Sequence, residues 1–352
     1  MTHLWVRAEQ RANEARVGIT PGGAAALIAR GFAVTVEQSA ARAIAIEDYV
    51  AAGCKIAPEG AWPEAPADAI IFGLKELPDD GTPLHHRHVM FGHAFKGQHR
   101  GRRLLARFRK GGGVLYDLEY LVDEAGRRVA AFGYWAGYAG AAVSLMAWAA
   151  QRGGGVCPAV AAFGGRDVLL GDLAARLAPM AARPSALVVG ALGRVGTGAS
   201  DLCAAMGLRV TGWDMAETAH GGPFPEILGH DILINCILAR PGTPVFVPPE
   251  ALAAPRRLTV IGDVACDPDS DYNPVPVYAR ATTWAAPVIR VHEAPPLDVM
   301  AIDNLPALLP RESSEDFAAQ LLPSLMTIDA LQGGAWARAR AVFDAQIKEV
   351  AA

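Results

Sequence analysis

One segment limits what this chain can fold into more than any other. Ala186-Leu-Val-Val-Gly190 is a short apolar run of buried-strand character, and it leads straight into Gly190-Ala-Leu-Gly193-Arg-Val-Gly196. A helical stretch follows to about Met206, and residues 208–214, ending in Asp214, read as the next strand. Strand, glycine turn, helix and strand in that order make a βαβ unit, and such units build parallel sheets covered by helices.

The loop has a chemical reading as well as a structural one. Glycine lets the backbone approach a pyrophosphate without a Cβ clash, and the following helix turns free N–H groups and the positive end of its dipole toward that anion. Asp214 lies 24 residues after Gly190, near the spacing of about 20 found for an acid that binds a ribose. Its carboxylate would accept from ribose hydroxyls and repel a 2′-phosphate, which favours NAD over NADP. The spacing G-x-x-G-x-x-G departs from the usual G-x-G-x-x-G and is weak by itself; the bland alternative is a structural turn beside a solvated Asp. Strand, helix and acid agree in position, so the cofactor reading weighs more.

The rest of the chain extends this α/β pattern. Residues 4–7, 33–37, 69–74, 89–94 and 114–118 read as strands, and Thr20-Pro21 opens a helix over 22–30, with Thr as cap and Pro at the first helical position. Two more strands are predicted at 231–238 and 258–263. Ser313-Ser-Glu-Asp316 predicts a capped helix start, and 322–350 is helical in period with a break at Gly333-Gly334. A length of 352 residues suits two domains.

Composition excludes several classes. With 52% hydrophobic and 19% charged residues the chain is not disordered, and a net charge of -4 gives no electrostatic case for nucleic acid. Five cysteines without a C-x-x-C pair indicate free thiols in a reducing compartment, and the N-terminus shows no signal core, so a cytoplasmic protein is expected. The uncharged run 129–151 is long enough to span a bilayer and holds Gly133-x-x-x-Gly137, but it has one Leu and no Ile. It predicts a buried helix rather than a membrane span, and no membrane partner. The histidines at 85, 86, 88, 93 and 99 match no metal-ligand spacing, and residues 267–278 lack the Gly and Glu of a calcium loop, so no metal is expected.

Several separated blocks carry a more specific signal. They are Arg7-Ala-Glu9, Glu14-Ala-Arg16, Gly73-Leu-Lys-Glu76, His93-Ala-Phe-Lys96, Leu115-Tyr-Asp-Leu-Glu119, the run from Gly126 to Gly133, Gly190-Ala-Leu-Gly-Arg194, Trp213-Asp214, Gly221-Gly-Pro-Phe224, Asn235-Cys236, and Ile302-Asp-Asn-Leu-Pro306 running into 309–314. In these blocks the chain resembles the NAD-dependent, lysine-forming saccharopine dehydrogenases, with alanine dehydrogenase and the transhydrogenase nucleotide domain as distant relatives. The resemblance implies two Rossmann-like domains with mostly parallel sheets and an interdomain cleft. Residues 1–131 plus 310–352 would form a discontinuous substrate domain, and 132–309 the NAD-binding domain. The implied substrates are saccharopine, lysine and 2-oxoglutarate, and the implied state a monomer.

Site residues follow from the same resemblance. Lys75 matches the family's base and His93 its acid/base for water addition; a lysine serves as base only when its pKa is depressed, whereas an ordinary histidine already titrates near neutrality. Glu76 matches an acid that tunes Lys75. Arg16 and Arg128, with Arg11 and Lys96 as further candidates, would bind the substrate carboxylates, since a guanidinium fork matches a carboxylate. Gln98, Glu119 and Phe132 match positions near substrate, as do Ala265, Cys266 and Asp267. The match to the cofactor side covers Arg127, Gly190, Gly193, Arg194, Gly196, Asp214, Thr218, Leu238, Val264, Ile302, Asp303, Asn304 and Leu305. Val195 stands where some members carry a cysteine, so a loop disulfide with Cys236 is not expected, and Leu238 replaces a familiar aromatic residue. Two other readings fit the same blocks: a related opine or amino-acid dehydrogenase, and a non-catalytic NAD-binding regulator or subunit.

Overall fold

The computed structural model of the chain describes residues 1–95 and 99–349. Two compact units emerge, Met1–Ala131 together with the chain from Pro310 onward, and Phe132–Leu309.

The first unit holds six strands: β1 (His3–Val6), β2 (Ala33–Glu37), β3 (Lys55–Ala57), β4 (Ile70–Phe72), β5 (Arg87–Met90) and β6 (Val114–Asp117). Its helices in this stretch are α1 (Pro21–Ala29), α2 (Ile46–Ala51) and α3 (His99–Gly111). The sheet order is β3-β2-β1-β4-β5-β6, and every pairing is parallel. The order reverses at β1, the kind of switch point beside which α/β sheets bind ligands at the carboxyl ends of their strands. The Thr-Pro start of α1 forms as its residues dictate, with Thr20 Oγ1 accepting from Gly23 N at 3.3 Å.

The second unit begins with α4 (Gly133–Arg152) and α5 (Arg166–Leu177). Its βαβ core is β7 (Ser185–Val189), α6 (Arg194–Ala205) and β8 (Arg209–Trp213), followed by the one-turn helix α7 (Met215–Thr218). The strands β9 (Ile232–Asn235), β10 (Val260–Asp263), β11 (Ile289–Glu293) and β12 (Pro296–Met300) complete a sheet of order β11-β12-β10-β9-β7-β8. All its pairs are parallel except β11 with β12. The uncharged run is α4, buried from Gly137 through Ala149. Among the described residues no helix is long and apolar enough to cross a membrane. The small residues serve helix contact: a Cβ on Gly137 would stand 1.8 Å from the Val195 carbonyl oxygen, and one on Gly198 1.9 Å from that of Tyr134. α4 and α6 therefore meet backbone against backbone, at a distance only glycine permits.

The chain then returns to the first unit as α8 (Pro310–Leu325) and α9 (Gly334–Glu349). α8 corrects one expectation: it begins at Pro310, not after Ser313. The buried Ser314 sits inside the helix, where its Oγ donates to Pro310 O at 2.5 Å and accepts from Val17 N at 2.9 Å. It fastens the returning chain rather than capping it. The predicted continuous strands are also shorter than read. β4 stops at Phe72 and β5 at Met90, so Lys75 and His93 each lie three residues beyond a strand, in loops rather than at strand ends. The short edge strand β3 and the β11–β12 hairpin had no alternating signature; Arg290 of β11 pairs with the fully buried Asp298, a polar contact that masks the pattern.

Candidate active site

In the first unit the functional candidates sit where the parallel strands end. Past β1 come Arg7 and Glu9, past β4 Lys75 and Glu76, past β5 His93, and past β6 Glu119. One gene segment alone supplies none of this; the parallel register does, because it aligns all carboxyl ends on one edge.

The loop carrying Lys75 is clamped from below. Glu9 accepts from Leu74 N at 2.6 Å and Lys75 N at 2.9 Å, one N–H on each carboxylate oxygen. Arg7 donates through Nη2 to the Lys75 carbonyl and through Nη1 to Ala8 O at 3.1 Å, and pairs with Glu9 at 3.5 Å. The guanidinium lies so close under Gly73 that a Cβ there would be 2.4 Å from Arg7 Nε. That contact explains the glycine before the lysine. Arg7 and Glu9 were legible only as a family block, with no role; two opposite charges two residues apart at the end of a buried strand are the signal that marks them.

Around Lys75 the acids are paired differently. Arg16 is 3% exposed and grips Glu14 with both arms, Nε to Oε1 at 2.8 Å and Nη2 to Oε2 at 2.6 Å. Burial alone would raise the Glu14 carboxyl, but Arg16 and the nearby Lys75 charge hold it below the ordinary carboxylate range. The positive fork expected to meet a substrate carboxylate is thus turned onto a protein carboxylate. Glu76 lies 3.8 Å from Arg11, and its buried Oε2 accepts no hydrogen bond among the described residues. A pocket opens beside the Arg16–Glu14 pair, lined among others by Arg7, Glu9, Glu14, Arg16, Arg42 and Gly73.

His93 adopts a left-handed backbone, φ 48°, and its half-exposed ring stacks on Phe91 at 6.4 Å and 20°. Its Nδ1 is 4.0 Å from Glu119 Oε2, while Glu119 Oε1 accepts from Arg128 Nη2 at 3.0 Å. The structure thus brings His93, Glu119 and Arg128 side by side. Arg127 points elsewhere, exposed and paired with Asp123 at 3.0 Å. Lys96 and Gln98 lie outside the described residues.

The second unit repeats the logic with a different chemistry. Gly190 (φ 82°) and Gly196 are required by the fold: a Cβ would meet Ile237 Cγ2 at 2.7 Å and Gly190 O at 2.1 Å, respectively. Gly193 is not, since its nearest neighbour would be Gly190 O at 3.4 Å. It heads α6 with no side-chain cap, which leaves the first-turn amides of a twelve-residue helix turned outward. Asp214 reaches across this loop: Oδ2 accepts from Leu192 N at 3.1 Å and Oδ1 from Met215 N at 2.9 Å. The Thr218 hydroxyl donates back to Asp214 O at 3.0 Å. Leu192, Met215 and Leu238 are 86%, 82% and 63% exposed, unusual for such side chains, and the first two flank Asp214. Of these only Leu238 was expected from the sequence, because exposure is a property of the fold. Val264 follows β10, and Cys266 has φ 52° with its thiol donating to Ala301 O at 2.9 Å, while Asp267 is exposed. Ala265 between them and Phe132, which precedes α4, are half-buried. Ile302, Asn304 and Leu305 are buried, which leaves Asp303 as the exposed member of that stretch.

The chain's likeness to known proteins runs along its whole length. It is 43% identical over 99% of its residues to the saccharopine dehydrogenase [NAD(+), L-lysine-forming] of Schizosaccharomyces pombe, covering 99% of that protein. The Neurospora crassa enzyme of the same name is 45% identical over 98% of this chain and 96% of its own. The chain belongs to the saccharopine dehydrogenase family. A family profile described as "Alanine dehydrogenase/PNT, N-terminal domain" also matches residues 5–139. The chain shares its architecture more widely: a solved L-alanine dehydrogenase matches with TM-score 0.72 at 18% identity, over 99% of this chain and all of the other. A transhydrogenase from Sinorhizobium meliloti matches with TM-score 0.63 at 17% identity, over 94% and 95% of the two chains. At that identity the likeness speaks for fold.

Proposed function

We propose that this chain is an NAD-dependent, L-lysine-forming saccharopine dehydrogenase, with Lys75 and His93 as its proton-transfer groups. One observation supports the assignment of roles: the loops of Lys75, Glu76, His93 and Glu119 leave the parallel sheet of the first unit at its carboxyl edge, with Arg128 bonded to Glu119, in a chain whose full-length relatives carry that name.

NAD, when bound, accepts the hydride from the substrate carbon. The second unit fits such a group. Gly193 leaves space that the protein itself does not fill, the α6 amides suit the pyrophosphate, and Asp214 is placed for the ribose hydroxyls. Arg194 follows Gly193 directly, and Arg127, Thr218, Val264 and the 302–305 stretch complete the cofactor side of the reading. The exposed Leu192, Met215 and Leu238 offer an apolar surface for the adenine ring.

The remaining chemistry belongs to the first unit. Lys75 takes the proton from the secondary amine, which releases the nitrogen lone pair as hydride leaves the carbon. Its peptide is fixed by Arg7 and Glu9, so the amine of the side chain works from a rigid base. Water then adds to the imine. His93 passes one proton of that water to the imine nitrogen as the water adds, and moves the hydroxyl proton to the same nitrogen as the carbinolamine collapses to lysine and 2-oxoglutarate. Glu119 faces His93, its Oε2 4.0 Å from the ring Nδ1. Glu76, next to Lys75 in the chain, keeps a buried Oε2 without a hydrogen-bond partner among the described residues, in keeping with an acid that tunes the lysine. Arg128 remains half-exposed and can share its fork with a substrate carboxylate, whereas Arg16 would bind one only in company with Glu14. Lys96, Gln98, Phe132, Ala265, Cys266 and Asp267 complete the substrate side of the reading.

The test is NADH absorbance in both directions, with saccharopine and NAD, and with lysine, 2-oxoglutarate and NADH; NADPH, ornithine and pyruvate serve as swaps. Turnover with lysine and 2-oxoglutarate is expected, much weaker with NADPH. Lys75→Met and His93→Gln should each lose on the order of 10²–10⁴-fold in turnover while NADH binding is kept. Turnover with another amine but not with lysine would overturn the substrate assignment.

A further inference from the structure

Asp117 ends β6 with its side chain wholly buried, and none of the chemistry above uses it. Its two oxygens face two different loops. Oδ2 accepts from Gly92 N at 3.2 Å, the residue before His93, and Oδ1 accepts from Glu119 N at 2.9 Å. The backbone here is already joined once, since Met90 of β5 pairs with Asp117 and Leu118 N donates to Met90 O at 3.0 Å. Beyond that rung the ladder stops, and the carboxylate takes over as the tie between the chain leading to His93 and the chain leading to Glu119.

Resting on the reading of His93 as the proton-transfer group, we propose that Asp117 is a positioning residue that sets His93 in register with Glu119. Three observations carry it. The first is the two-loop grip, which needs acceptors on both arms; a carboxylate has them, and an amide offers only one. The second is His93 itself, whose φ of 48° is a conformation that non-glycine residues rarely adopt and that persists only where surroundings impose it. The grip on the preceding amide is such an imposition. It also leaves no room at residue 92, where a Cβ would be 2.7 Å from Leu115 Cδ2 and 3.2 Å from Asp117 Oδ2. The third is that the group is held against its own preference: burial pushes the carboxyl up to about 7, aided by the Glu119 charge and opposed by the two amides and Arg128. A side chain retained at such a disadvantage beside a reactive centre fits a functional duty better than a structural one.

The experiment is a double-mutant cycle in the full chain, Asp117→Asn and His93→Gln, singly and together. Asp117→Asn should lower kcat on the order of 10–100-fold, the effect of misplacing a reacting group by about 1 Å, with the NADH dissociation constant unchanged. In the His93→Gln background the same change should add less than about twofold, because the group it positions is gone. Equal losses in both backgrounds would overturn the inference, showing that Asp117 acts apart from His93. Wild-type turnover in His93→Gln alone would sink the reading of His93, and the inference with it; that failure is recognised without any Asp117 variant. If Asp117→Asn does not fold, Gly92→Ala disturbs the same contact from the opposite side. It is read in the same cycle, with non-additive loss supporting the inference and additive loss refuting it.

Discussion

The buried Asp117 makes a stability prediction that can be worked out in full. Its carboxyl is raised from 3.8 to about 7, chiefly by burial. Between those values the folded chain keeps a proton that the unfolded chain has lost, so the fold is favoured at low pH and this contribution disappears as pH rises through about 7. The full difference is about 4 kcal/mol at 1.36 kcal/mol per pH unit. Over the window from about pH 5 to about pH 8 the linkage relation leaves about 2–3 kcal/mol. Asp117→Asn has no proton to lose. Measured by urea denaturation, the variant should therefore gain on the wild type by about 2–3 kcal/mol between those pH values, whatever its offset at either one. Taking the difference removes other titrations common to both proteins, such as that of His88, which burial holds well below its ordinary value and which weakens the fold in the opposite direction, as pH falls. A difference between the two proteins that does not change with pH would refute the reasoning, because it would mean that Asp117 ionises as freely in the folded state as in the unfolded one.

Two further outcomes follow from close contacts. Gly196→Ala would drive a Cβ to 2.1 Å from Gly190 O, a backbone atom that cannot yield without opening the loop, so NADH fluorescence titration should show binding lost while far-UV circular dichroism is retained. Glu9→Ala removes the partner of a side chain only 1% exposed and frees two amides, and should lower stability by about 3–5 kcal/mol in urea denaturation; a loss within about 0.5 kcal/mol would show that Arg7 is satisfied by carbonyls alone.

By itself the sequence determined the class of fold and the glycine loop with Asp214, and through its family blocks it named the polar residues proposed for the chemistry. The fold and the loop were legible because they depend on local pattern, apolar runs between turns and a cap before a helix, whereas the polar residues were legible only through the resemblance to a family. It also showed that 129–151 belongs inside a protein, since a run of mostly Ala and Gly with a single Leu and no Ile inserts poorly into lipid and packs well against a helix. The tertiary structure decided the rest. Only the parallel register brings Lys75, His93 and Glu119 to one edge of a sheet, although they are separated by up to 44 residues. Only packing reveals that Arg16 is turned onto Glu14, that Leu192 and Met215 are exposed, and that Arg7, Glu9 and Asp117 bond the backbone of the loops around Lys75 and His93. The physical reason is the same in each case. A strand ends where its hydrogen-bond partner ends, and a charge points where an opposite charge or a free amide waits, so both depend on neighbours that are distant in the chain.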